Sequence, residues 1–144
     1  MSKACVVYIA ETEYMLDEVE SRLSNEGYDI CLVELQNSWD KETKTPELLE
    51  CQRNADVCIF LLDEKCENYP SFSGAVSGAK GQGCNIIGIR GKSNYIPKEI
   101  DEKANSVLPI KSPSVSSSLG GTSIWEDSEC NPMTKRDINR VKCQ

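Results

Sequence analysis

The sequence predicts a three-layer α/β fold, with one five-stranded parallel sheet in the order 2-1-3-4-5 between two layers of helices. Three observations lead there. Apolar runs of strand length alternate with segments of helical period, the rhythm of parallel strands joined by crossover helices. One run, Val57 to Leu62, is apolar at every position, as a strand covered on both faces must be. The chain has 144 residues, enough for one sizeable core and too few for two comfortable ones.

Each element has its own local signal. Ala4 to Ile9 is the first strand. Thr12 can cap the next helix, in which Met15, Leu16, Val19 and Leu23 share a face. Gly27 stops that helix. Tyr28 to Leu35 reads as the second strand, and a polar connection from Gln36 to Lys44 follows. Thr45-Pro46 is a helix start, because proline at the first helical position gives up an N–H that would have no partner there. That helix runs to about Arg53 and leads into the Val57 strand. Cys66 to Pro70 reads as a loop, followed by a helix from Phe72 to Gln82. Cys84 to Ile89 is the fourth strand, Pro97 opens a short helix, and Ser106 to Ile110 is the fifth strand. Ser112 to Ser123 reads as a flexible loop from its serine and glycine content. A short helical segment is expected around Asp137 to Val141. Residues 1–111 thus form a flavodoxin-like domain, and residues 112–144 a Ser/Gly-rich loop and tail packed on it. In the 2-1-3-4-5 order, connections leave strands one and three in opposite directions and open a crevice outside their carboxyl ends. Ile9, Ala10, Glu11 and Asp63 fall at that crevice, with the start of the Phe72 helix beside it.

Charge and composition exclude several functions. The net charge of −7 opposes a nucleic-acid surface, which needs clustered cations. Lys135, Arg136, Arg140 and Lys142 form the one basic group, which reads as a solvated helix. No apolar run approaches the roughly 20 residues of a membrane span. The N-terminus lacks a signal-peptide pattern, so a cytoplasmic location is expected. There are eight cysteines. Cys5, Cys31, Cys58 and Cys84 fall in or beside strand-like runs, where cysteine acts as a small hydrophobe, and all eight are expected to be reduced. No histidine and no CxxC pair occur. A metal site and Ser-His or Cys-His catalysis therefore have no support.

Other motifs weigh less. Gly88-Ile89-Arg90-Gly91-Lys92-Ser93 ends like a phosphate loop but has Ile86 where the first glycine belongs, so it reads as a turn. Gly74 and Gly78 sit four apart on one helix and suggest a close approach to the sheet. Glu13, Asp17, Glu18 and Glu20 read as a solvated face. Trp39 offers either a loop anchor or a stacking surface for a base, and Trp125 an anchor for the tail.

Three stretches carry a resemblance through their order and spacing. They are Asn37-Ser38-Trp39-Asp40 with the Thr-capped helix and Asn54-Ala55-Asp56-Val57-Cys58-Ile59-Phe60-Leu61, then Gly83-Cys84-Asn85-Ile86-Ile87-Gly88-Ile89, and the strand Val6 to Ile9. Across about residues 4–100 the chain resembles the TIR-like domains of Thoeris-type antiphage systems. It resembles the nucleoside 2-deoxyribosyltransferase fold more distantly. The resemblance implies cleavage of the nicotinamide–ribose bond, with NAD as substrate and no cofactor. It further implies an ADP-ribose-derived signal read by a downstream effector, and a homo-oligomer. As the base leaves, the ribose becomes cationic, and a carboxylate must stabilise it. The family places a glutamate for this in the first turn of the third helix. The matching position here is Ala75, expected to face the crevice. Ile9, Ala10, Glu11, Trp39, Asp63, Phe72 and Ser73 are the expected substrate contacts. Three readings stay open: an NAD-cleaving enzyme with its acid replaced, a non-catalytic nucleotide sensor or interaction module, and an N-glycosidic enzyme acting on deoxynucleosides.

Overall fold

A computed structural model describes residues 2–35, 45–91 and 95–133. The strands are β1 (Ser2–Tyr8), β2 (Tyr28–Glu34), β3 (Val57–Leu62), β4 (Asn85–Arg90) and β5 (Ser106–Pro109). The helices are α1 (Leu16–Asn25), α2 (Thr45–Arg53), α3 (Phe72–Gly81), α4 (Lys98–Lys103) and α5 (Val115–Leu119). The sheet order is β2-β1-β3-β4-β5, with every neighbouring pair parallel.

Alternation along the central strands divides the core into two layers. Cys5, Val7, Cys58, Phe60, Leu62 and Ile86 face α2, α3 and α4. Ala4, Val6, Ile59, Leu61, Ile87 and Ile89 face α1 and α5. Phe60 and Phe72 meet edge to face in the first layer, with ring centroids 6.0 Å apart. All six residues of β3 are buried, which accounts for its unbroken apolar sequence. Gly27 ends α1 with φ of +88°, a conformation that costs glycine little. No helix among the described residues is long and apolar enough to cross a membrane.

Four expectations are corrected. Thr12 does not cap α1. It lies in a 3₁₀ segment, Ala10–Met15, and its hydroxyl both accepts from Ile9 N and donates to Ile9 O. The Ser-rich stretch contains α5 rather than only loop, because Val115 and Leu119 are buried one turn apart against the sheet. Gly78 approaches Gln52 of α2 rather than the sheet, and Gly74 has open space around it. Finally, Cys31 and Cys51 are joined in a disulfide. Cys31 is exposed on an edge strand, so it is not the buried hydrophobe its apolar neighbours suggested.

The tail adds to the sheet. Val107 N donates to Ile124 O at 2.9 Å, and Glu126 N donates to Val107 O at 2.8 Å. Trp125 is buried and donates its indole N–H to Asn105 O, the anchoring role expected for it. The basic residues beyond Met133, and the helix expected around them, lie outside the described residues.

Candidate functional site

The connections leaving β1 and β3 meet at the carboxyl edge of the sheet. After β1 the chain turns at Ile9, where the two Thr12 hydrogen bonds close the turn. This leaves Ala10 and Glu11 exposed at the rim. After β3, Asp63 accepts from Lys65 N at 2.9 Å and starts a second 3₁₀ segment, Glu64–Asn68. The chain then returns through Tyr69, which is buried. The Tyr69 hydroxyl donates to Glu11 Oε1 at 2.7 Å, linking residues 58 apart in sequence. One side-chain bond therefore spans the switch point.

The electrostatics follow from this meeting. Burial, the hydrogen bond to Glu11 and the charge of Glu11 together push the Tyr69 phenol up to about 12. The phenol is thus a fixed donor at ordinary pH. Cys66, fully buried beneath the same rim, is also pushed up to about 12. Burial is the main cause, and the charges of Asp63, Glu11 and Glu67 push the same way. Three carboxylates thus surround one small region. Asp63 accepts from Lys65 N at Oδ1 alone. Glu67 accepts from Lys98 N at 2.9 Å and from the Tyr95 hydroxyl, bracing the start of α4. Glu11 accepts only the phenol among the described residues, at Oε1.

The sequence-predicted site residues separate into three groups. Ala10, Glu11 and Asp63 stand at the carboxyl edge of the sheet, and Ile9 is buried beneath it. In α3, Ser73 is exposed, while Phe72 and Ala75 face inward. Ala75 is fully enclosed at 0% exposure, and its carbonyl accepts from Gln52 Nε2 at 2.8 Å. Its methyl therefore faces the core, where an open crevice was expected, because Val76 and Ala79 fix the same face of the helix inward. Trp39 lies outside the described residues. Sequence reasoning missed Tyr69 and Cys66, which sit in a segment read as loop. An aromatic just before Pro70, between an acid-rich turn and a helix start, was the available signal.

A separate hollow of about 380 Å³ opens on the α1 side of the same edge, lined by Tyr14, Glu18, Arg90 and Lys111 among others. Arg90 is buried, and its Nε donates to Glu126 O at 2.7 Å. Neither Glu11 nor Tyr69 lines this hollow. No group of three potential metal ligands occurs among the described residues.

No protein-family model matches the chain, and no curated protein matches it either. Among solved structures the chain is similar to the CMP N-glycosidase BcmB of Clostridium botulinum, with a TM-score of 0.50 and 14% sequence identity. The similarity covers 74% of this chain and 90% of that one. At this identity the likeness is one of fold, and the neighbour acts on a nucleotide.

Proposed function

We propose that the crevice between β1 and β3 binds a nucleotide and acts on its N-glycosidic bond, with Glu11 as the working carboxylate. The observation that carries this is the hydrogen bond from Tyr69 to Glu11 across the switch point. Breaking the bond from C1′ to the base leaves positive charge on the ribose, and a pre-oriented carboxylate lowers that barrier. Water supplies a hydroxyl to C1′ and a proton to the departing base. Position 75, where the resemblance places a glutamate, holds an enclosed methyl, so the acid must come from elsewhere. The phenol holds one oxygen of Glu11 and leaves the other to meet the sugar. The fold neighbour favours a nucleoside monophosphate such as CMP, and the resemblance favours NAD. With NAD, cleavage would release nicotinamide and leave an ADP-ribose-derived nucleotide. That product would suit a homo-oligomeric enzyme signalling to a downstream effector in antiphage defence.

The test is free-base release from CMP, NAD and deoxycytidine, followed by chromatography. We expect release from a nucleotide, falling at least about a hundredfold in Glu11→Gln while nucleotide binding persists. Release that is indifferent to Glu11→Gln would remove this reading.

The enclosed Ala75 favours a second reading, a non-catalytic nucleotide-binding module. It predicts saturable nucleotide binding with no free base from any of the three compounds. If Ala75→Glu then creates release, the working position is 75 and the chain is an enzyme without its acid.

A further inference from the structure

The disulfide between Cys31 and Cys51 joins two elements 20 residues apart, with Cα atoms separated by 6.0 Å. Cys31 is exposed on the edge strand β2, whereas Cys51 is buried near the end of α2. Both line a hollow of about 250 Å³ with Lys3, Asp29, Glu50 and Asn54. The sulfur pair is therefore open to solvent from the Cys31 side alone.

Cys130 is free and half-buried, and four further sulfurs are placed differently from the pair. Cys5, Cys58, Cys66 and Cys84 are buried and free. Hydrogen bonding to Cys5 and burial hold the Cys58 thiol well above its ordinary range. Burial does the same at Cys84. Such thiols stay protonated and out of reach, and the thiolate is the reactive form. The reduced form of the pair is also accommodated. Cys51 Sγ lies 3.3 Å from Cys31 O, so a thiol at Cys51 has an acceptor ready and reduction strands no buried donor.

We propose that Cys31–Cys51 is a redox modification site, a two-electron thiol–disulfide couple that takes a small dithiol at Cys31. A thiolate of the dithiol attacks Cys31 Sγ, and the Cys31–Cys51 bond breaks with its electron pair leaving on Cys51 Sγ. Cys51 takes a proton and donates to the Cys31 carbonyl. The second thiol of the reagent then closes on the first, releasing Cys31 as a thiol. The protein disulfide gains two electrons, the dithiol becomes a cyclic disulfide, and its two protons end on the two cysteines. Gln52, the next residue along α2, makes the contact with Ala75 O, so the couple lies one residue from the link between α2 and α3.

The test equilibrates the full chain over a series of reduced-to-oxidised dithiothreitol ratios, traps free thiols with iodoacetamide and maps the labelled peptides. Labels on Cys31 and Cys51 should rise together along one transition. Cys5, Cys58, Cys66 and Cys84 should label at least about a hundredfold more slowly in the folded protein. The proposal is overturned if Cys31 labels fully at every ratio. It also fails if the four buried cysteines label along with the pair, since opening would then require unfolding. In Cys51→Ser, Cys31 should label at all ratios and form no intramolecular disulfide. Should that variant not fold, the exposed-site change Cys31→Ser serves instead, and Cys51 must then remain a thiol throughout. A disulfide from Cys51 to another cysteine in Cys31→Ser would equally overturn the assignment.

Discussion

Gln52 and Gly78 meet so closely that a β-carbon on Gly78 would stand 2.9 Å from Gln52 Oε1. The Gln52 amide is pinned by its bond to Ala75 O and buried at 1% exposure, so it cannot swing aside. Gly78→Ala should therefore destabilise the protein by about 1–3 kcal/mol through overpacking. The removal of a helical glycine alone would stabilise by up to about 1 kcal/mol. In a Gln52→Ala background the same change should become neutral or stabilising. Thermal denaturation of the four proteins measures this reversal. A stabilising Gly78→Ala in the parent would show slack between α2 and α3.

Gly88 makes a related case inside the sheet. A β-carbon there would lie 2.8 Å from Leu62 Cδ1 and 3.2 Å from Ile100 Cγ2. Gly88→Ala is expected to cost about 1–3 kcal/mol, read as a lower midpoint in urea. An unchanged midpoint would mean that Leu62 can change rotamer freely beneath α4.

Tyr69 gives the protein an alkaline signature. Its phenol titrates at about 12 in the fold against an ordinary 10, so the folded state favours the protonated form. That contribution is complete below about pH 10 and is lost as pH rises through about 12. Tyr69→Phe should lose stability less steeply across this window than the parent. The residual slope comes from Tyr8, Tyr28 and Tyr95 and from the Cys58, Cys66 and Cys84 thiols, all of which are also raised. Denaturant unfolding between pH 9 and pH 12 checks the slope. Equal slopes would mean that Tyr69 is as acidic folded as unfolded.

Arg90 holds the tail on the sheet through Glu126 O at 2.7 Å and Met133 Sδ at 3.3 Å. A hydrogen bond to a charged group contributes about 1.5–3 kcal/mol. Arg90→Leu should therefore release residues 124–133 to limited proteolysis before the domain unfolds. Arg90→Lys should not restore protection, because an ammonium lacks the planar fork that reaches both partners. Protection of the tail in Arg90→Leu would assign its anchoring to Trp125 and to the backbone bonds at Val107.

The architecture was legible because burial on both faces leaves plain marks. Val57 to Leu62 is apolar throughout, and the strand order follows from the rhythm of the segments around it. Gly27 announced its own backbone conformation. The parts that were not legible depend on partners distant in sequence. Val115-Ser116-Ser117-Ser118-Leu119 reads as loop by composition, yet Ser118 is buried with its hydroxyl donating to Val115 O, a local bond that satisfies the serine inside the helix. Cys31 and Cys51 gave no spacing signal, since their pairing depends on how α2 lies against β2. At the crevice, Glu11 and Asp63 followed from topology alone. Tyr69 did not, because its role exists only through a residue 58 positions away. The inward turn of Ala75 is set by Val76 and Ala79 and by Gln52 on a neighbouring helix.

The pairing of the tail with β5 bears on how copies of the chain can associate. A strand at the margin of a sheet offers its backbone groups as a template for another chain. At Val107 both groups are already taken, by Ile124 O and by Glu126 N. A neighbouring molecule could extend the sheet there only by evicting Trp125 from its buried seat. Among the described residues the other margin of the sheet is β2, which carries Cys31, so a dimer that continued the sheet there would bring two sulfur pairs to its seam.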